Sequence, residues 1–434
     1  MTNDKADGND LRRLPSAGAV ELGFPLGHLG RLTEEEKKAL AEFKVLLECK
    51  GLYKPGPPPS HSDPTLLRYL RARKWVVQDA YGQFNETERF RRANQIDVLY
   101  DTIDIDSYEE SRRLYPRYTG RRDRRGIPIY VFQIRHLDSK LVSDYEKSST
   151  YSKAKTDGKT HPKFLRLFAL YENLTRHVQP LTTECPDRPN TDVPITLSTN
   201  IVDIGNVSLR QFWNLKGHMQ AASQLATAHY PEILDRIFIV GAPYFFSTVW
   251  GWIKRWFDPV TVSKIFILSD ADVLPVLTTF MDIKDIPKVY GGELEWTFFD
   301  EPAWDDGIMN IIKWENGHTD FGRGPVFWQP SADGERMECV AVGSLNGTDR
   351  HEVIASVPKS CRPKMSADVE EPEPTNSIVA NGEKAESTIA ESAAEAVADL
   401  KISDDAKKNP TAELSEKIPA QPAPPAAGAT AASA

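Results

Sequence analysis

Cysteine is scarce. Cys49, Cys185, Cys339 and Cys361 are the only four in 434 residues, and no two stand in a C-x-x-C spacing. A disulfide framework and a zinc ribbon are therefore not expected, and a reducing compartment fits. Long apolar runs are missing too: no stretch reaches the roughly 18 residues that suggest a membrane-spanning helix. The opening MTNDKADGNDLRRLPSAG lacks the apolar core of a secretory signal, so a cytoplasmic chain is expected. On that expectation the Asn-x-Ser/Thr triplets at Asn85, Asn173, Asn206 and Asn346 read as chance. Signatures of catalysis are absent as well. There is no G-x-S-x-G elbow, no G-x-x-x-x-G-K-[ST] loop and no G-x-G-x-x-G after a strand, and the nine histidines show no metal-ligand spacing. Neither an enzyme nor a metal or cofactor site is expected. The formal net charge of -9 argues against bulk attraction to nucleic acid, so any basic residues must act locally.

What remains is organised in blocks. Residues 1–30 are polar and Gly-rich and read as disordered. Thr33 with Glu36 forms a capping pattern ahead of Leu40, Phe43, Leu46 and Leu47, which predicts a helix ended by Gly51. After a Pro-rich linker, DPTLLRYLRARKW predicts a second helix with Pro64 at its first position, and Asp79 reads as the cap of a third. A helical region over 31–100 follows. Four short apolar runs, 127–134, 195–204, 236–242 and 264–268, lack polar alternation, and helical segments near 162–179, 208–228 and 270–281 separate them. That pattern predicts an α/β domain over 101–295, its largely parallel sheet covered by helices. Residues 296–360 predict a β-rich extension, with Asn346-Gly347 as a type I′ turn. The tail over 361–434 has no aromatic residue and carries 7 basic against 13 acidic side chains, so it reads as disordered.

One segment stands out. YFFSTVWGWIKRWF, residues 244–257, places Phe246, Val249, Trp250, Ile253, Trp256 and Phe257 on overlapping apolar stripes, broken only by Lys254 and Arg255. A helix apolar nearly all round belongs either in a core or in lipid. Trp250, Trp252 and Trp256 beside a basic pair weigh for the membrane interface. Gly251 within the segment and Pro259 after it suggest a short, movable lid.

Taken in order, DPTLLRYLRARKW, RRGIPIY, HYPEILDRIFIVGAPYFFS and DPVTVSKIFIL resemble the CRAL-TRIO lipid-binding family, and within it the fungal phosphatidylinositol/phosphatidylcholine transfer branch. The resemblance covers roughly residues 35–295. It implies a helical N-terminal region followed by a mixed sheet, with a mobile gate helix at 246–257 that closes a lipid pocket. It also implies the site. Arg73, Glu232, Thr261 and Lys264 match the positions that bind an inositol-lipid headgroup, and Asp123 matches a further one. An Arg fork and a Lys charge suit a phosphodiester, and carboxylates accept from ring hydroxyls. Tyr118, Tyr130, Tyr171 and Ser198 match the lining of a second headgroup pocket. In that pocket the family's Tyr after Tyr118 is Thr119 here, and its Thr two positions after Ser198 is Asn200. Loss of an aromatic face weakens contact with a quaternary ammonium, so poor choline-lipid exchange and a different second lipid are expected.

The implied protein is a monomeric, cytoplasmic carrier of phosphatidylinositol that touches membranes transiently and feeds phosphoinositide kinases. Two other readings stay open. One is a scaffold whose pocket is packed core; the other is a carrier of sterol or another apolar ligand.

Overall fold

The computed structural model describes residues 26–359 except Asp138, Ser149, Phe257 and Asp258. The tail over 361–434 and most of the 1–30 segment, both expected to be disordered, lie outside the described residues. Residues 26–30 are described, and His28 among them is buried.

Thr33 opens α1 (Glu34–Cys49) with a complete capping box. The Glu36 amide donates to Thr33 Oγ1 at 3.2 Å, and the Thr33 amide donates to Glu36 Oε2 at 2.9 Å. Gly51 follows the helix in the left-handed region at φ +69°. In α2 (Asp63–Ala72) the N-cap is Ser62, so Pro64 takes the second helical position, one later than expected. α3 (Val77–Ala93) starts ahead of Asp79, which lies in its first turn. These three helices share a core of Leu40, Phe43, Leu47, Leu66, Leu67 and Phe84. Two short helices, α4 (Ile96–Thr102) and α5 (Ile105–Arg112), lead to the sheet.

That sheet has five strands in chain order: β1 (Arg117–Arg122), β2 (Pro128–Gln133), β3 (Ser198–Asp203), β4 (Leu234–Val240) and β5 (Ile265–Ile267). β1 pairs antiparallel to β2, and every other pair is parallel. The four expected strands correspond to β2–β5; β1 was not anticipated. The connections are helical: α6 (Ser139–Lys147), α7 (Pro162–Asn173), a π-helical turn over Leu174–Val178, α8 (Gln179–Glu184), α9 (Leu209–His229), α10 (Phe246–Ile253), α11 (Pro259–Ser263) and α12 (Val273–Phe280). Parallel strands require such crossovers, and the helices cover both faces. Among the described residues no helix is long and apolar enough to cross a membrane.

Beyond α13 (Asp306–Met309) come the short strand β6 (Lys313–Trp314), then β7 (Val326–Pro330), β8 (Arg336–Ala341), the hairpin β9 (Ser344–Leu345) and β10 (Thr348–Asp349), and β11 (Glu352–Pro358). Four of them form an antiparallel sheet in the order β6-β11-β8-β7. Asn346 and Gly347 both have positive φ, +51° and +77°, as a type I′ turn requires. Trp328, Cys339 and Ile354 of this sheet share a core with Leu181 and Cys185 from α8 and its end. The described residues of the helical region, the α/β sheet and the extension all fall within one compact unit.

Candidate functional site

The central sheet has two unlike faces. Ile129, Val131, Ile201 and Phe238 point one way, are fully buried, and pack with Val273, Leu277 and Phe280 on and near α12. The residues between them point the other way. Tyr130, Phe132, Val202, Ile237, Ile265 and Ile267 are only half-buried. In-register pairs Tyr130–Asn200, Asn200–Ile237 and Ile237–Ile265 run them across the sheet as one surface. Side chains from α6, α7, α9 and α10 stand over that surface. An apolar face that close packing leaves incomplete is a floor on which an apolar ligand can lie.

α10 forms part of the roof. Phe246, Val249 and Ile253 are buried against the floor's cluster, and Trp250 packs there half-buried. Trp252 faces out at 44 % exposure, 5.4 Å from the ring of Trp213 on α9, which is 42 % exposed. Tyr244 is almost wholly exposed, Lys254 and Arg255 on the same segment are exposed, and Lys216 lies over Trp213 at 5.2 Å. Trp256 ends the 3-10 turn Lys254–Trp256, and Phe257 lies outside the described residues. The helix is therefore two-sided, apolar inward and aromatic-basic outward.

At the edge of β4 and β5, Lys264 Nζ donates to Glu232 Oε2 and to the Leu234 carbonyl, each at 3.0 Å. Glu232 itself holds φ +55°, a conformation that costs a non-glycine residue about 1 kcal/mol. The Lys264 amide donates to the Thr261 carbonyl at 3.1 Å, which sets the turn out of α11. Arg73 caps α2 and is exposed. Arg71, two residues earlier, turns inward and donates to the Gly27 carbonyl at 2.9 Å, with its Nε and Nη2 buried and without a partner among the described residues. Burial pulls the Arg71 guanidinium down to about 10, against the field of Glu232. His28 reports the same charge. Burial first, then Arg71, Lys264 and Arg125, push it down to about 2. Asp123 lies deeper. It accepts from the Arg125 and Ile127 amides at 2.8 and 3.0 Å and from Thr199 Oγ1 at 3.2 Å, and burial raises its pKa. Its carboxylate thus braces the β1–β2 turn and Arg125, which also reaches Asp235. Glu232 and Lys264 meet directly, Arg73 is exposed at the end of α2, and Asp123 is buried in the β1–β2 turn.

Tyr118 and Tyr130 are register partners with rings 5.4 Å apart. Both line a cavity of about 620 Å³ whose far wall is the extension, through Trp304, Phe321 and Val326. Trp304 meets Tyr118 edge-on at 5.7 Å. Arg112 and Arg117 line it as well, as do Glu301 and Asp320, and among the described residues Tyr118 Oη and Arg117 Nε are buried without a partner. The other expected lining residues are placed differently. Tyr171 stacks on Tyr230 at 4.8 Å, while Asn200 Nδ2 donates to Ser198 Oγ at 3.1 Å and Ser198 Oγ to the Ile233 carbonyl at 3.2 Å. Thr119 is fully buried and donates to the Ile129 carbonyl at 2.9 Å, so it ties β1 to β2 and takes no part in this wall.

Sequence reasoning missed Arg71, His28, Trp213 and Trp304. Only Arg71 carried a signal, as the first arginine of RARK.

The CRAL/TRIO domain model matches residues 112–292, and the CRAL/TRIO N-terminal domain model matches 30–86. A SEC14 cytosolic factor of Yarrowia lipolytica is 30 % identical over 275 residues, 63 % of this chain and 51 % of that protein. One from Eremothecium gossypii is 28 % identical over 284 residues, 65 % of this chain and 84 % of its own length. The phosphatidylinositol/phosphatidylcholine transfer protein SFH9 of Arabidopsis thaliana is 27 % identical over 295 residues, 64 % of this chain and 46 % of that protein. The chain thus spans about half the length of the first and third of these relatives. Among solved structures, the crystal structure of Sfh5 aligns at TM-score 0.43 and 16 % identity, over 64 % of this chain and 96 % of that one. Through the two domains that follow one another over its helical region and its five-stranded sheet, the chain belongs to the CRAL/TRIO family.

Proposed function

We propose that this chain carries a phosphatidylinositol-type phospholipid and exchanges it at membrane surfaces, with no bond made or broken. The observation that carries this reading is the two-faced sheet, with one side close-packed and the other a half-buried apolar floor under α10. Acyl chains lie on the floor, and the headgroup meets Lys264, Glu232 and the arginines at the end of α2. Each acyl CH₂ is worth roughly 0.8 kcal/mol, so a lipid cannot escape through water at a useful rate. Exchange must occur while the roof touches a membrane. The outward Trp252, Trp213 and Tyr244, with Lys216, Lys254 and Arg255 beside them, support α10 and its surroundings as that contact. The name of the Arabidopsis relative, which pairs phosphatidylinositol with phosphatidylcholine, supports a two-ligand cycle. The cavity at Tyr118 and Tyr130 takes the second polar group; its lining carries both signs, with Arg112, Arg117 and Arg323 against Asp320 and a Glu301 that Arg112 already engages. Presentation of inositol lipid to phosphoinositide kinases, from a cytoplasmic monomer, follows from the same reading.

The test is Lys264→Ala combined with Arg73→Ala. Charged hydrogen bonds are worth about 1.5–3 kcal/mol each, so phosphatidylinositol transfer between vesicles falls more than tenfold while melting stays near wild type. Transfer at the wild-type rate overturns the headgroup assignment.

A further inference from the structure

A second polar site lies apart from the lipid floor. A cleft of about 220 Å³ opens between α2 and α8, and its walls include Thr65, Arg68, Gln179, Thr183, Glu184 and Thr196. Arg68 is 7 % exposed, yet among the described residues its guanidinium has neither a hydrogen-bond nor an ion-pair partner, and its Nε is fully buried. Gln179 is 4 % exposed, and its Nε2 is likewise buried and unpartnered. A buried guanidinium without a counter-charge is expensive, and a neighbouring orphan amide adds to the cost. The carboxylate whose field Arg68 feels, Glu172, is already engaged by Arg91 at 2.6 and 3.1 Å and by Tyr230 at 2.5 Å. The π-helical turn Leu174–Val178 ends directly before Gln179, and such turns often mark functional positions.

We infer that this cleft binds a phosphoryl group, with the Arg68 guanidinium and the Gln179 amide as donors. A planar fork and an amide N–H₂ suit the oxygens of a phosphate monoester. The group comes either from a free phosphate or from the phosphorylated ring of a lipid headgroup. Neither Lys264, Glu232 nor Arg71 lines the cleft, so the inference stands independently of the lipid reading. Thr196 Oγ1 lies 3.4 Å from His28 Nδ1 and connects the two neighbourhoods.

The test is thermal melting of the full chain in inorganic phosphate against chloride at matched ionic strength. Above its Kd, each tenfold rise in phosphate lifts Tm by about 2 °C in a folded body of this size. Arg68→Met removes that response. Gln179→Glu supplies a carboxylate to the guanidinium, so it raises Tm without phosphate and also removes the response, even where Arg68→Met folds poorly. Lys264→Ala retains it. A second arm compares binding to vesicles that carry a ring-phosphorylated inositol lipid with binding to plain phosphatidylinositol vesicles. A preference lost in Gln179→Glu, with no response to free phosphate, assigns the group to a lipid headgroup. Equal melting in phosphate and chloride with no vesicle preference overturns the site. A response that survives Gln179→Glu, or one that vanishes in Lys264→Ala, overturns it too.

Discussion

Ile201 and Val202 are neighbours on β3 that point to opposite faces, which makes them a matched pair for asking whether the floor is a ligand surface or a core. Ile201 is fully buried among Ile129, Val131 and Phe238, whereas Val202 is half-buried between Phe132 and Ile239. Enlarging a close-packed side chain costs about 1–3 kcal/mol. For a folded body spanning residues 26–359, the unfolding entropy is roughly 0.7 kcal/mol/K. Ile201→Phe should therefore lower Tm by about 1–4 °C and leave lipid transfer unchanged once the protein is folded. Val202→Phe should do the reverse. It lowers Tm by less than about 1 °C, because on the carrier reading its ring enters the ligand's space above the half-buried floor. There it displaces two or three acyl methylenes, at about 0.8 kcal/mol each, which weakens lipid binding roughly thirtyfold. The assay pairs thermal unfolding with vesicle-to-vesicle transfer of labelled phosphatidylinositol. If Val202→Phe melts as low as Ile201→Phe and transfers lipid normally, the half-buried face is ordinary core and the carrier reading fails.

Trp213→Asp with Trp252→Asp should reduce flotation with anionic vesicles at least tenfold and remove a lipid-induced blue shift, with Tm changed by about 1 °C or less, since both rings already face water. A collapse of Tm with unchanged flotation would instead place these rings in the core. Stability should also depend on pH in two steps. Burial holds His28 at about 2, His177 at about 3 and His218 and His229 at about 4. The unfolded chain takes up those protons near pH 6.5 and the fold does not, so stability present above 6.5 is lost as pH falls below it. At Glu172 burial alone would raise the pKa, but Arg91 and then Arg176 and Tyr230 outweigh it and hold the group at about 2. Between the ordinary 4.5 and that value roughly 3 kcal/mol is lost on acidification, and Glu172→Gln should flatten that lower limb alone. Denaturant melts between pH 7 and 2 read both steps, and a flat profile from 7 to 5 refutes the histidine step.

The sequence signals that proved readable were local and strongly patterned. Thr33 with Glu36 marks a helix start because two reciprocal hydrogen bonds need only those residues at that spacing. The runs that became β2–β5 were legible because strands covered on both faces need apolar residues throughout. β1 escaped because RYTGRR reads as polar. Its pairing with β2 is irregular between Tyr118 and Arg122, and Gly120 sits at φ +84° with the Ala303 backbone against it. Which arginine of RARK turns inward was hidden for a related reason. Arg71 lies in the last turn of α2 and Arg73 is its C-cap, and only the packing of the 26–31 turn onto Arg71 and Trp75 decides between them. Trp304 was beyond reach from sequence because its partner Tyr118 is 186 residues away and no local pattern links the two.

The alternation along β2, β3 and β4 also bears on how such a chain can diverge. On the carrier reading, every second position answers to the fold, and the positions between answer to the cargo. A change at Ile129, Ile201 or Phe238 must satisfy a rigid mould, so drift there is punished by unfolding. A change at Phe132, Val202 or Ile237 meets a deformable guest, and a mismatch alters which guest is held. Ligand preference and thermal robustness are thereby inherited on separate sets of codons within the same six or seven residues of strand. A lineage can retune one without first acquiring a reserve of the other.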